Sequence, residues 1–202
     1  MNILGNLSEN SILSAHQYQY DGTHPNPNEC GSNSMVMVLA IAAAISGSML
    51  ELKPRALTRF LDRIPFRHLR FPAWFPGPGG ATHPKAAEKG MQAIIDGLKA
   101  QGRSFPWSAE RRSRQSLTDL GSALKAARPT LVYGVGVSTG VPHVVVPVAH
   151  ENQEWLILDP GYPKARQPMR WTDQQFEEWW VNYGWLYPAG TMVSLIPARQ
   201  SG

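Results

Sequence analysis

An α+β fold is predicted for this chain of 202 residues, with a helical N-terminal part followed by an antiparallel sheet. The eleven-residue apolar run Met35–Ile45 is typical of a buried helix, whereas the β-branched runs are concentrated after residue 130. Within that later part, residues 142–149 and 154–158 flank a polar turn at 151–153. This arrangement predicts a β-hairpin and therefore antiparallel pairing.

The remaining elements follow from local patterns along the chain. Helices are expected after Cys30, near 52–61, at 84–101, at 117–127 behind the capping-box residues Ser116–Asp119, and from Thr172 to about Val181. Strands are expected near 130–137, 142–149, 154–158 and 191–196. Basic residues just before the 117–127 helix are assigned to a solvated loop: Arg111, Arg112 and Arg114.

Residues 65–84 contain five prolines and three glycines, which predicts a long ordered loop. A loop of this length in a compact domain is often a binding element. Its aromatic residues Phe71, Trp74 and Phe75 either line a cleft or cover the edge of the core. Neither alternative is favoured by the sequence.

Length and composition predict a single domain spanning 1–202, with a core from about residue 12 to residue 197. A hydrophobic content of 43% argues against disorder, and a chain of this length can bury a proper core. No repeat or second domain is evident. The single cysteine excludes an intramolecular disulfide, so disulfides do not indicate the compartment.

The N-terminal residues lack the basic head and the long apolar stretch of a secretory signal, and the run Met35–Ile45 is too short to span a bilayer. We therefore expect a protein without a membrane span that is cytoplasmic, or exported by a route without an N-terminal signal peptide. A net charge of +4 and a pI near 9.4 favour an acidic partner such as a cell-wall polymer or nucleic acid. No basic stripe with interleaved aromatic residues accompanies that charge, so nucleic-acid binding is not predicted.

No cofactor and no metal site are predicted. Neither Cys-x-x-Cys nor His-Glu-x-x-His occurs in the sequence. The glycine-rich residues 134–140 resemble a dinucleotide-binding loop, but the third glycine is one place late. Pro142 and a β run follow that loop, where a phosphate site needs the N-terminus of a helix.

Cys30 is placed at the first turn of the predicted buried helix. The unpaired N–H groups and the dipole of a helix N-terminus favour an anion, so a thiolate, the nucleophilic form of cysteine, is stabilised there. A lone cysteine is more often an inert residue packed in a core. From Cys30 alone, both interpretations stay open.

His143 and Asp159 lie on the two strands of the predicted hairpin. Their positions are centred on residue 151, inside the turn, so the register sets the carboxylate nearly opposite the imidazole, at the spacing of about 5 Å between cross-strand neighbours. An acid that orients a histidine needs this geometry. His150 is an odd number of residues away and is expected on the opposite face. The other histidines have no predicted strand to fix them: His16, His24, His68 and His83.

The order of cysteine, histidine and aspartate resembles that of the papain-like cysteine peptidases. The local motifs resemble those of the bacterial double-glycine (bacteriocin-processing) leader peptidases and their stand-alone relatives. Five pieces carry the resemblance, in chain order: Gln19-Tyr20-Asp21, Glu29-Cys30-Gly31 before the apolar helix, His143–Val146, Asp159-Pro160-Gly161 and Phe176–Trp179. Together they extend over nearly the whole chain.

The resemblance implies a papain-like fold whose helical part carries the nucleophile Cys30 and whose sheet carries His143 and Asp159. It also implies a peptidase that cleaves a peptide or isopeptide bond through a thioester acyl-enzyme. In that family a glutamine ahead of the cysteine stabilises the oxyanion. The matching position is Gln19, with Gln17 as the alternative, and the eleven-residue gap from Gln19 to Cys30 is longer than in papain itself.

Other functions stay open at this point. They are a peptidoglycan amidase or endopeptidase of phage or interbacterial origin, a noncatalytic papain-fold binding module, and transglutaminase or acyl-transfer chemistry, which uses the same order of residues. The expected partner is a peptide or protein substrate, cell-wall peptide included. The sequence does not identify this substrate, a presenting transporter or the oligomeric state.

Overall fold

The computed structural model of the protein describes residues 4–18, 30–48, 83–135, 142–181 and 188–198. Three sequence features lie outside these residues: Gln19, the helix expected near 52–61, and the predicted loop as far as residue 82, with its three aromatic residues. Within the described ranges, no helix combines the length and the hydrophobicity that crossing a membrane requires.

The described residues form five α-helices and six strands. The helices are α1 (Glu9–Ala15), α2 (Cys30–Ile45), α3 (Pro84–Ala100), α4 (Leu117–Lys125) and α5 (Asp173–Val181). The strands are β1 (Trp107–Arg112), β2 (Thr130–Val135), β3 (Pro142–Glu151), β4 (Glu154–Leu158), β5 (Met169–Thr172) and β6 (Met192–Pro197). The strands form one sheet in the order β1-β6-β2-β3-β4-β5, antiparallel at every pairing. The predicted α+β class is confirmed.

Helix α2 is buried on nearly all sides. Every residue from Cys30 to Leu39 is buried, and from Met35 onwards the sequence is apolar around the whole helix rather than along one stripe. The helix packs against β3 and α1. The hydroxyl of Ser34 donates to the carbonyl of Val144 at 3.0 Å, one residue along the strand from His143. This contact joins the first turns of α2 to the start of β3.

Strand β1 replaces part of the loop expected before α4, and that expectation was wrong for Arg111 and Arg112. β1 is an edge strand, where charged side chains are common because one side of the strand faces no neighbour. Helix α3 supplies partners for that side: Gln92 Oε1 accepts from the N–H of Ala109 at 2.9 Å, and Glu88 Oε1 accepts from the N–H of Arg111 at 3.1 Å.

The β3–β4 hairpin has a tighter turn than the sequence suggested. Asn152 and Gln153 form a two-residue connection, both with positive φ (54° and 64°), as in the turns that match the twist of paired strands. The hairpin is therefore centred between these residues and not on residue 151. Leu158 pairs with Val146, so Asp159 lies just beyond β4, diagonal to His143 and not opposite it.

His150 lies on the same face of the sheet as His143, which contradicts the alternation expected from the sequence. The register shifts between Pro147 and Ala149, where a β-bulge adds one residue to β3. Because paired residues share a face, Pro147 shares the face of Ile157, and His150 shares that of Trp155. Because of the extra residue at the bulge, two residues of β3 that lie on either side of it and an odd number of positions apart share a face.

Gly190 offers a test of the packing between β6 and the loop before α4. Its φ of +63° is strained for other residues, and an added Cβ would overlap the main chain of Gln115, which also donates to the Gly190 carbonyl at 3.1 Å. Gly190→Ala is expected to lower the free energy of unfolding by about 3 kcal/mol. Urea unfolding followed by circular dichroism measures the change.

The matched control is Gly97→Ala in α3, where an added Cβ meets nothing within 4 Å. This substitution is expected to raise the free energy of unfolding by about 0.5–1 kcal/mol, because alanine has the higher helix propensity. Equal effects of the two substitutions would contradict the packing described for Gly190.

Candidate active site

Cys30 is the first residue of α2 and is buried, with 6% of its surface exposed. Burial of the helix behind it fixes the direction in which the helix N-terminus points. The imidazole of His143, at the start of β3, is hydrogen-bonded to the Cys30 side chain. The structure thus brings together two residues that are far apart in the sequence.

Asp159 completes a chain of three side chains. Its Oδ1 lies 2.6 Å from His143 Nε2. Because a carboxylate can only accept, Nε2–H is the donor, which leaves Nδ1 of the ring to face Cys30. The Asp159 side chain is almost wholly buried (3% exposed), whereas that of His143 keeps 22% of its surface exposed. A reactant can therefore reach the imidazole but not the carboxylate.

Opposing effects set the charge state of His143. Burial is the largest single effect and acts to lower the pKa of His143, but the hydrogen bonds to Asp159 and Cys30, together with the charges of these two residues, outweigh burial and raise the pKa to about 10. The imidazole therefore holds both protons at neutral pH.

Gly161 limits the space around the carboxylate. Its N–H donates to Asp159 Oδ1 at 2.7 Å, so this oxygen has two donors. A Cβ at residue 161 would lie 3.0 Å from the same oxygen and 3.5 Å from the ring of His143. A side chain at residue 161 would therefore crowd the contact between the carboxylate and the imidazole.

His16 lies next to the site, although the sequence predicted no strand that would place it there. It is buried after the end of α1, and its Nε2 donates to the main-chain carbonyl of Asp159 at 3.1 Å. Gln167 also bonds to the main chain of Asp159. No spacing rule connects residue 16 with residue 159, so the sequence carried no signal for this contact.

An indole ring lies beside the strand position of His143. Gly134 pairs with His143 across β2 and β3, and an added Cβ at Gly134 would lie within 2.6 Å of the Trp179 ring. Paired residues share a face, so the indole and His143 lie on the same face of the sheet. Trp179 also lines an open cavity of about 240 Å³, together with Trp171, Gln175 and Glu178.

A second histidine–aspartate pair lies further along β3. His150 Nε2 donates to Asp173 Oδ1 at 2.8 Å, and the indole Nε1 of Trp155 donates to the same oxygen at 2.6 Å. The imidazole stacks on Trp155 with ring centroids 4.0 Å apart. This pair attaches the first residue of α5 to the sheet.

The candidate residues from the sequence thus fall into two groups. Cys30, His143 and Asp159 are in contact in series. Gln19 lies outside the described residues. Gln17, the alternative, is half-buried and directly follows His16. The catalytic roles of all of these residues stay predictions.

The known proteins that resemble this chain do so in structure, whereas the comparisons of sequence found no match. No protein family and no curated protein matches the sequence. A solved structure of a C39-like peptidase from Bacillus anthracis is similar with a TM-score of 0.66 and 14% identity, covering 98% of each chain. The peptidase domain of Streptococcus ComA, a bifunctional ABC transporter involved in a quorum-sensing pathway, is similar with a TM-score of 0.50 and 17% identity. That match covers 91% of this chain and 98% of the ComA domain.

At these identities the similarity concerns the fold. The resemblance seen in the sequence motifs is confirmed at that level, since both solved structures are described as peptidases or peptidase-like proteins of the type that the motifs indicated. The mixed arrangement of helices around an antiparallel sheet is also the predicted one. The chain therefore has the papain-like fold of the C39 peptidases.

Proposed function

We propose that the protein is a cysteine peptidase that hydrolyses a peptide or isopeptide bond through a thioester acyl-enzyme. The observation that carries the proposal is the position of His143, whose imidazole contacts both the only cysteine and a buried carboxylate. A nucleophile, a base and an orienting acid in series are the parts that such chemistry needs. The fold shared with C39 peptidases supports the same conclusion.

In the proposed reaction the Cys30 thiolate attacks the carbonyl carbon of the scissile bond. The imidazolium of His143 gives a proton to the departing amine as the tetrahedral intermediate collapses to the thioester. A water molecule then gives a proton to His143 while its oxygen attacks the thioester carbon, and the thiolate leaves. Asp159 keeps the imidazole oriented and stabilises its charge in both steps.

The oxyanion of each tetrahedral intermediate needs a donor, and we assign this role to the Gln19 side-chain amide. Gln19→Ala is expected to lower kcat by roughly a hundredfold or more, as for other single oxyanion donors, with little change in stability. The matched variant is Gln17→Ala, expected to retain most of the activity. If Gln17→Ala lost the activity and Gln19→Ala kept it, the roles would be reversed.

The substrate class is tested by supplying two kinds of substrate. Purified protein is incubated with purified cell wall and, separately, with a diverse peptide pool, and new ends are identified by mass spectrometry. New ends in the peptide pool, absent with Cys30→Ala, support the peptidase. Cleavage of the wall alone would favour the peptidoglycan amidase or endopeptidase instead, for which the net charge of +4 is suited because such a wall polymer is acidic.

A further inference from the structure

The main chain of Asp159 is hydrogen-bonded mainly to side chains and not to a neighbouring strand. Gln167 Oε1 accepts from the Asp159 N–H at 3.1 Å, and Gln167 Nε2 donates to the Asp159 carbonyl at 3.0 Å. His16 Nε2 donates to the same carbonyl at 3.1 Å, and the N–H of Tyr162 approaches it at 3.2 Å. Two side chains from distant parts of the chain therefore hold the two peptide groups that flank the Asp159 Cα.

The position of Gln167 explains its two bonds. The β4–β5 ladder ends with Ile157 paired to Met169, and the same register continued by two residues sets Gln167 opposite Asp159. Pro168 interrupts the ladder because it has no N–H to donate. A glutamine amide has the same donor and acceptor as a peptide group. Its side chain thus extends the ladder to Asp159 after the main chain has left the strand.

His16 holds the same carbonyl from the side of the helical part. Burial lowers the pKa of His16, although its hydrogen bond to Asp159 acts in the opposite direction, so the ring is neutral at neutral pH with its proton on Nε2. The residue follows α1 directly and lies three positions before Gln19. The contact therefore connects the segment that carries the assigned oxyanion donor with the turn that carries the acid.

We propose that Gln167 and His16 are positioning residues that hold the main chain of Asp159 and thereby aim its carboxylate at His143. The proposal rests on the peptidase function proposed above. The carboxylate of Asp159 is one bond from its Cβ, so displacement of the main chain moves Oδ1 by a similar distance. The bond to His143, at 2.6 Å, has little tolerance for such a shift.

The test follows the titration of the His143 imidazole by nuclear magnetic resonance, with the signal assigned by its loss in His143→Ala. The Asp159→Asn variant gives a reference, the midpoint of the His143 titration without the charge of the carboxylate. Gln167→Ala and His16→Phe are each expected to lower the midpoint by about one pH unit, towards that reference. The control is Gln92→Ala, which removes a comparable bond to the main chain of Ala109, far along the sheet, and should leave the midpoint unchanged.

An isosteric variant separates positioning from packing. Gln167→Met keeps a similar length and adds no charge, but it removes both the acceptor for the Asp159 N–H and the donor to the Asp159 carbonyl. The His143 midpoint should fall at least as far as in Gln167→Ala. This variant also decides the matter if the alanine variant does not fold. A midpoint equal to that of the wild type in Gln167→Met and in His16→Phe would overturn the proposal.

Turnover gives a second readout that a merely structural role would not move. With a cleaved peptide, Gln167→Ala should lower kcat by roughly tenfold, less than Asp159→Ala does, while KM stays within about twofold, as for a misplaced catalytic group. The titration needs no substrate, so the two proposals fail separately. A wild-type protein that cleaves nothing would refute the function, whereas unchanged midpoints in an active enzyme would refute the positioning role alone.

Discussion

Cys30→Ser and His143→Ala are expected to lower turnover by about 10⁴-fold or more, to the background of the assay. Serine preserves the volume and polarity at residue 30, so the loss would reflect the nucleophile and not the packing of α2. Asp159→Ala should keep measurable activity, about a hundredfold above the other two variants, because an orienting group is less essential than the nucleophile or the base. Initial rates with a peptide identified by mass spectrometry measure these effects.

His150→Ala provides the matched control for His143→Ala. It removes a histidine from the same strand and the same face, and that histidine also donates to an aspartate, at 2.8 Å. We expect this variant to keep turnover within about threefold of the wild type, since the pair attaches α5 and does not contact Cys30. Equal losses in the two histidine variants would show that turnover depends on the fold of β3 and not on a base at residue 143.

Cys30 is expected to react with iodoacetamide at about pH 6 in the folded protein. The pKa of His143 is raised to about 10, so the imidazole keeps its charge at this pH and loses it only as the pH rises through about 10. The proposed nucleophile therefore has a positively charged neighbour at this pH. The alkylation rate at pH 6 is compared between the wild type and histidine variants.

Intact mass reports this reaction without ambiguity because the chain has one cysteine. His143→Ala should slow the reaction at pH 6 by at least about tenfold, while His150→Ala should leave the rate unchanged. The opposite result is a native Cys30 that stays unlabelled at pH 6 and reacts only in guanidinium. That outcome would favour the noncatalytic binding module over the peptidase.

The free energy of unfolding is expected to depend on the protonation of His143 as well. The folded-state pKa of His143 lies above the usual histidine value of 6.5, so the folded protein binds the proton more tightly than the unfolded chain does. Its contribution is therefore fully present below about pH 6.5 and is lost as the pH rises through about 10.

The parts of the fold that depend on local patterns could be predicted from the sequence. Helix α2 was evident from its unbroken apolar run, and the β3–β4 hairpin from its turn residues. The predicted contact of His143 with Asp159 survived an error in the register. Because the true register differs by two residues at Leu158, and a shift of two preserves the face of a strand, both side chains still point the same way.

What could not be predicted depends on residues that are distant in the sequence. The contact between His16 and Asp159 joins residues 143 positions apart and leaves no periodicity to recognise. Strand β1 was missed because α3 satisfies its outer edge through Glu88 and Gln92, which allows charged residues where a strand pattern would be apolar. The bulge in β3 was missed because no residue type marks an inserted residue within a strand.

The two sides of the site should respond differently to local unfolding, because α2 is buried and the Asp159 turn is not part of a central element. Cys30 begins a helix whose next nine residues are all buried, so its position persists until the whole core is exposed. The Asp159 turn is attached mainly by side-chain hydrogen bonds, and such segments open at lower free energy than central strands. On heating, the acid should therefore leave the imidazole before the thiol does, and inactivation should begin at temperatures where hydrogen exchange still finds α2 closed.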